Sequence, residues 1–461
     1  MSNTLGSSSS RRAFLQVALA SAAVPSLAQG AETSPARPDR FLEPACELPL
    51  HKDADVIVCG GGPAGVAAAI AAARAGVRTR LFEVHGCLGG VWTAGLLTYI
   101  FDFDKPGLTR ELTQQLDERD ARRHKNPSRF VYEPETLKVL LEELCDAAGV
   151  RTQLHTRVAA AHREGNRLTT IVTESKSGRE AWRARVFIDA TGDGDLGAQA
   201  GCEWEIGQGH DCPCQPLTLN ALAVVRDHAA LGEYISFYRD DRRHLPAVEA
   251  FRREIARAGQ EASYGHPTLF HIRDNLVLVM INHEYGVKPF DAAQVTAATL
   301  RARAEVQRIV RALARLGGPW AGMQVVASAE QIGVRDGRRI RGRYTITRDD
   351  LVNGARHPDA VARATFNVDI HAATRDENRK ETISHGNFKM QPYDIPLRAL
   401  IAKDVDCLML AGRCISGDFL AHASYRVTGN AVAMGEAAGR VAALAAKTNR
   451  LPHEVQWSEM Q

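Results

Sequence analysis

Two constellations of residues, near opposite ends of the chain, could do chemistry. Close to the start, Gly60, Gly62 and Gly65 fit the pattern Gly-x-Gly-x-x-Gly, enclose Pro63 and Ala64, and are followed by Glu83, 18 positions after the last glycine. Glycines at that spacing let a pyrophosphate reach backbone N–H groups, and an acid at that distance suits the hydroxyl pair of a ribose. Glu83 argues against a 2′-phosphate, and so against NADP. Far downstream, His422 and Arg426 precede Gly429 and Asn430. An imidazole titrates near neutral pH and can carry a proton, while a guanidinium can hold an anion by a two-pronged hydrogen bond.

The flanking sequence supplies elements able to position these groups. Asp55-Val-Ile-Val-Cys59 reads as a buried parallel strand, Val66–Ala75 as an Ala-rich helix ended by Gly76, and Arg78–Phe82 as the next strand. Gly60 permits the tight turn, Gly62 the ligand's approach, and Gly65 close packing of helix on strand, while the helix amino end faces the phosphates with free N–H groups. The stretch Val84–Gly95 contains Gly89 and Gly90, and a glycine-rich loop directly after the ribose-binding acid resembles flavoproteins more than nicotinamide dehydrogenases. Cys87 has no cysteine near it, which disfavours disulfide reduction. Downstream, Arg185–Asp189 is an apolar strand leading to Ala190, Thr191, Gly192 and Asp195, and Asp404–Leu410 is another leading to Gly412 and Arg413. A helix over about 431–446 repeats small residues at Ala431, Gly435 and Gly439, which makes one face flat. Its amino end, at Gly429–Asn430, would favour the negative charge that a flavin ring takes up on reduction.

Taken together, these segments resemble the FAD-dependent oxidoreductase family with a glutathione-reductase-type FAD fold. The matching pieces are Gly60–Gly65, Gly89-Gly90, Ala190–Asp195, Gly333-Val-Arg335 with Arg338-Arg339, Tyr393–Arg398 and Ala411–Ser416, across about Ala54 to Ala446. A more distant similarity is to succinate dehydrogenase and fumarate reductase flavoproteins, whose His-Gly-Ala-Asn-Arg-Leu-Gly-Gly-Asn stretch matches here at His422, Arg426, Gly429 and Asn430, while Tyr425 and Thr428 depart from it. The resemblance implies FAD bound without a covalent link. It places Gly60, Gly62, Pro63, Ala64, Gly65, Glu83, Gly89, Gly90, Ala190, Thr191, Gly192, Asp195, Gly412, Arg413, Gly429 and Asn430 at the cofactor.

Between these ends the chain reads as helices over Thr109–Arg122 and Pro134–Ala148, an antiparallel meander over Val150–Val186, strands Leu217–Val225 and Leu276–Ile281, and a long helix over Ala293–Leu316. Gly333–Arg343 carries five arginines, readable either as a solvated strand face or as guanidiniums that bind a phosphate or a carboxylate. The same alternatives hold for Asp394 and Arg398. His371 and His385, in a polar stretch, read as solvated. Cys212-Pro-Cys214 behind His210 reads as a loop before a redox pair, and it lacks the four ligands of a structural zinc, so no metal is expected.

The composition fits a soluble enzyme of 461 residues, 45% hydrophobic and 24% charged. A net charge of +3, two units of which come from Arg11 and Arg12, offers no field for nucleic acid. Ser10-Arg11-Arg12-Ala13-Phe14-Leu15, the short apolar run to Ala28 and the small residues around Gly30 read as a twin-arginine export signal, which predicts a periplasmic or secreted enzyme. No segment reads as an integral membrane span.

The expected fold class is α/β: a Rossmann-like FAD-binding domain with a parallel sheet, plus an inserted mixed α+β substrate domain. The expected divisions are signal 1–30, linker 31–53, FAD-binding segments 54–202 and 386–448, substrate domain 203–385 and tail 449–461. The expected activity is hydride transfer between a small, anionic organic substrate and FAD N5, as a dehydrogenase before an oxidase, with a separate electron acceptor. His422 is expected to move the proton and Arg426 to anchor the substrate. The alternatives are a reductase fed by a partner and a non-catalytic flavin carrier.

Overall fold

The computed structural model describes residues 41–123, 126–208, 214–238 and 244–460. The export signal, His210 and Cys212 lie outside the described residues. The chain divides into residues 1–47, of which 41–47 run without regular structure, and residues 48–461, which hold every described helix and strand.

The centre of the second unit is a five-stranded parallel sheet in the order Leu408–Leu410, Val186–Asp189, Val56–Cys59, Thr79–Phe82, Arg151–Gln153. Its central strands are apolar on both faces because both are covered, as a parallel sheet requires. The register sets Cys59 level with Asp189 and Phe82, and Asp189 level with Leu410, so four strands end along one edge. In sheets of this kind that edge is where ligands bind.

Helix Pro63–Arg74 leaves this edge directly, and helix Thr428–Thr448 packs along it. The contact is backbone against backbone. A Cβ on Gly435 would overlap the Ala64 carbonyl oxygen, and one on Gly439 the Ala68 carbonyl oxygen. The flat face expected from Ala431, Gly435 and Gly439 is therefore the face that meets the first helix.

Strands Arg157–Glu164, Arg167–Ser175 and Gly178–Arg183 form the antiparallel meander, to which Leu50–His51 adds a parallel edge. Arg151–Gln153 does not belong to the meander as expected; it completes the parallel sheet beside Thr79–Phe82. The helix expected over Thr109–Arg122 runs from Leu108 to Glu118, because Asp120 turns the backbone to φ +49° and Arg122–Arg123 pairs as a strand with Phe130–Tyr132.

A second, antiparallel sheet has the order Thr268–Arg273, Leu276–Met280, Ala221–Val224, Gln324–Ser328. Its side chains alternate between two cores. Ala221, Ala223, Val277 and Val279 join Phe251 and Trp320 beneath helices His244–Arg257 and Ala292–Leu316. Leu222, Leu278 and Phe270 face Leu96, Tyr99 and Val131, from the segment that follows the glycine loop. Asp291 starts the long helix by accepting the N–H groups of Ala293 and Gln294. This second sheet thus rests directly on chain that belongs to the cofactor end. Among the described residues no helix is long and apolar enough to cross a membrane.

Candidate functional site

The turn after Cys59 is built from steric necessity. Gly60 sits at φ +99°, and a Cβ there would stand 2.5 Å from the Ala190 carbonyl oxygen; one on Gly65 would overlap the carbonyl oxygen of Gly60. A Cβ on Gly62, by contrast, meets nothing within 4 Å. The fingerprint is therefore closed on two sides and open on the third, at the amino end of helix Pro63–Arg74, whose first-turn amides have no intrahelical acceptor. Gly62 caps that helix with no side-chain hydrogen bond, which leaves these donors to a ligand.

Glu83 is buried beside this opening. Its Oε2 accepts the Gly61 N–H at 2.5 Å and its Oε1 the His85 N–H at 2.8 Å, and each oxygen keeps a lone pair for a vicinal diol. The Gly89 N–H donates to the Gly61 carbonyl at 2.8 Å, and a Cβ on Gly90 would lie 3.0 Å from the Gly62 Cα, so the second glycine loop closes over the first.

Two further segments complete the cradle. Ala190 donates its N–H to the Cys59 carbonyl at 2.9 Å, and the chain turns at Thr191-Gly192. Gly412 places its backbone against Ala64, where a Cβ would come within 3.0 Å of the Ala64 Cβ. Arg413 covers Gly192 and pairs with Asp193 at 2.7 Å, and Asp195 pairs with Arg338 at 2.8 Å. Arg413 and Asp195 are thus matched by partners within the chain. Asp189 lies under this turn. Burial pushes its carboxyl up to about 6, against the Gly197 and Thr191 hydrogen bonds that favour the charged form.

Gly429 presses on the Asp102 carbonyl, which leaves no room for a side chain. Next to it Asn430 is fully buried, and neither its amide oxygen nor its amide nitrogen has a partner; the Trp92 Nε1 is orphaned in the same way. An unsatisfied buried polar group costs about 1–3 kcal/mol, so such atoms at a helix start point to a ligand that satisfies them. The open side of Gly62, the spare lone pairs of Glu83 and the orphaned amide of Asn430 all fit an extended dinucleotide.

Beyond Asn430 lies a buried ionic network that sequence reasoning saw only in part. His422, fully buried within the short helix Phe419–Tyr425, has its Nδ1 3.3 Å from Asp336 Oδ1. Asp336 also accepts the Gln215 N–H at 2.7 Å and its Nε2 at 3.1 Å. Gln215 Oε1 accepts the His371 N–H at 2.9 Å, and Arg426 Nη2 approaches it at 3.4 Å. Arg426 Nη2 also donates to the Asp369 carbonyl at 2.8 Å and to its Oδ2 at 3.1 Å, and His371 Nε2 lies 3.3 Å from that Oδ2. Arg335 is tied by Nη1 to the Pro216 carbonyl and to Thr218 Oγ1.

His371 is thus not solvated, as its polar neighbours suggested; it is 5% exposed and joined to Asp369. His385 is exposed, as its polar neighbours suggested, with Nδ1 2.6 Å from the Val368 carbonyl. The arginine run is not a solvated face either, because Arg339 is buried and donates to the Gly417 and Gly207 carbonyls. Arg398 pairs with Asp359, and Asp394 with Arg356 and Arg363. Asp336 was hidden inside the arginine run, and Asp369, His283 and Gln215 sit in no motif.

Burial pushes His422 down to about 4 against the pull of Asp336, and burial with the charge of Arg335 pushes His371 down to about 4. Both imidazoles are therefore neutral at neutral pH and able to accept a proton. Burial opposes ionisation of Asp336, but His422 and the Gln215 N–H outweigh it and hold the carboxyl below its ordinary range.

A family model described as FAD dependent oxidoreductase matches residues 55–461. Among solved structures, the chain is similar to a geranylgeranyl bacteriochlorophyll reductase-like protein from Thermoplasma acidophilum, at 15% identity and a TM-score of 0.46, over 87% of this chain and 80% of that one. It is also similar to p-nitrophenol 4-monooxygenase from Pseudomonas putida, at 11% identity and a TM-score of 0.46, over 87% and 82%. A myxobacterial chondrochloren halogenase matches at 14% identity and a TM-score of 0.41, over 86% and 73%. No curated protein matches the sequence.

Proposed function

Because the chain belongs to the FAD-dependent oxidoreductase family, we propose that it is an exported dehydrogenase acting on a small, anionic organic substrate. Bound FAD supplies a hydride acceptor at N5, and the protein supplies geometry and charge. In this reading residues 54–202 and 386–448 hold the cofactor without a covalent bond, and 203–385 closes over it.

The observation that carries the substrate assignment is Arg426. Its Nη2 is committed to Asp369, yet its Nε is buried and has no acceptor. A guanidinium donor left unpaired out of water suits an incoming carboxylate. His422, one helical turn earlier, is neutral and has an Nε2 without a partner. It accepts the proton of the substrate's hydroxyl or amine as the hydrogen of the adjoining C–H bond leaves as hydride, and Asp336, 3.3 Å from its Nδ1, stabilises the charged form. The likeness of His422–Asn430 to the corresponding stretch of succinate dehydrogenase and fumarate reductase flavoproteins supports the carboxylate-holding role of Arg426 alone.

The test uses purified full-length protein. Its flavin should bleach when a hydroxy or amino acid is added without oxygen, and the nucleotide should separate from the chain on denaturation. His422→Ala and Arg426→Ala should keep bound flavin while turnover falls about 10²-fold or more, the usual worth of a positioned acid–base group. Normal rates in both variants would remove the assignment. Loss of the enzyme from the periplasm on Arg11→Lys, Arg12→Lys substitution checks the export signal.

A further inference from the structure

Beside the Arg426–Asp369 pair, the buried network holds Arg335, His371, His283 and Tyr264, which take no part in the hydride transfer proposed above. Resting on the reading of an anionic substrate, we infer that Arg335 and Arg426 together clamp a small carboxylate and that His371, locked to Asp369, is the group that shares a proton with the bound anion.

The site is built rather than incidental. Asp369 Oδ2 is shared between His371 Nε2 at 3.3 Å and Arg426 Nη2 at 3.1 Å, so one carboxylate orients both the imidazole and the guanidinium. His371 Nδ1 is buried without a partner, and so are Arg426 Nε and His283 Nε2. Arg335 uses only Nη1 for its bonds to Pro216 and Thr218 among the described residues. Aromatic rings wall the other side. His283 lies 4.0 Å from Tyr264 and 5.1 Å from His371, and Tyr264 lies 5.8 Å from His371, between ring centroids. The side chains of Asp369 and Arg426 are 22% and 12% exposed, so the clamp fronts on solvent while His371 lies behind it.

The groups facing His371 determine what an anion would do. Arg335 and Asp336 come from the loop after Gln324–Ser328, Arg426 from the end of Phe419–Tyr425, and Asp369 from its own segment. Tyr264 and His266 precede strand Thr268–Arg273, and His283 and Tyr285 follow strand Leu276–Met280. Burial and the two guanidiniums hold His371 neutral against the pull of Asp369. Burial and the charge of Arg426 together bring even Arg335 down to about 10. A carboxylate between the guanidiniums offsets both positive charges, so the anion's arrival favours a proton on His371 Nδ1. No redox step is involved; one proton passes from solvent to the imidazole as the anion binds.

The test is calorimetric titration of glycolate into the FAD-loaded full-length protein at pH 6, in buffers of different ionisation enthalpy, with ethylene glycol as the uncharged control. The expected result is uptake of about half a proton or more per glycolate, and none with ethylene glycol. In His371→Gln, checked for flavin absorbance and Tm, glycolate should still bind with proton uptake lost. In Arg335→Met, affinity should fall about tenfold or more. A measurement on the unaltered protein stands beside these. Its glycolate affinity should weaken with rising pH, by up to about tenfold per unit between pH 5 and 7. Equal uptake in the unaltered protein and His371→Gln, or a flat affinity profile, would overturn the role of His371 while leaving the anionic substrate in place. Absence of glycolate binding to the unaltered protein would overturn both.

Discussion

At the scale of single residues, two glycines three positions apart do different work, and substitution should separate them. Gly65→Ala drives a methyl group into the Gly60 carbonyl, so it should cost stability, on the order of 1–3 kcal/mol, even without cofactor. Gly62→Ala meets nothing in the folded chain, so the protein should melt as the unaltered one does, yet FAD affinity should fall at least about tenfold because the methyl stands where the pyrophosphate must approach. Thermal melting of the flavin-free forms and flavin titration check both. These roles were legible in the sequence because a turn, an approach and a packing contact each exclude side chains at fixed spacing. The buried ionic network was much less legible. His422 and Arg426 could be singled out because they adjoin a recognisable helix start. Asp336, Asp369, Gln215 and His371 come from three separate stretches, and only tertiary folding brings their hydrogen bonds together. A polar neighbourhood in sequence suggested water around His371, whereas in space its neighbours are the aromatic and ionic groups of other segments.

At the scale of elements, the decisive contact is between helices Pro63–Arg74 and Thr428–Thr448. Gly435→Val should push them apart where Ala64 and Ala68 carbonyls touch the opposing backbone, and so tilt the fingerprint helix and the Gly429–Asn430 start together. The expected outcome is a drop in Tm and loss of most bound flavin, measured by melting and by absorbance; Ala446→Val, further along the same helix and away from Ala64, should retain more flavin. The helix and its small-residue face were readable from a four-residue repeat. The strands of the second sheet were harder. Leu276–Met280 is apolar enough to announce itself, but Thr268–Arg273 and Gln324–Ser328 carry polar residues on exposed faces, and they are strands because their neighbours supply the hydrogen bonds. Arg151–Gln153 was misassigned to the meander for the same reason: three polar residues take their place from pairing with Arg80–Phe82, not from their own pattern.

At the scale of the whole molecule, buried imidazoles set the acid limit. His422 and His371 bind protons only near pH 4 when folded and near 6.5 when unfolded, so between those values the unfolded chain holds more protons and stability falls as pH drops. Each contributes up to about 1.4 kcal/mol per pH unit in that window. Asp189, raised to about 6, acts in the opposite direction between about 6 and 4 and offsets one of them. The net expectation is a Tm that declines from pH 6.5 toward 4, with little response to salt because the groups are shielded from ions; a Tm independent of pH over that range would contradict it. The order of the parallel sheet has one more consequence. Its outer strand, Leu408–Leu410, leads into Gly412, which meets Ala64, and the helix bearing Asn430 brings Gly435 onto the same residue, so the turn after Cys59 is completed by chain that lies far downstream. In the reading proposed above, a nucleotide that spans both segments is captured only once they have folded against each other.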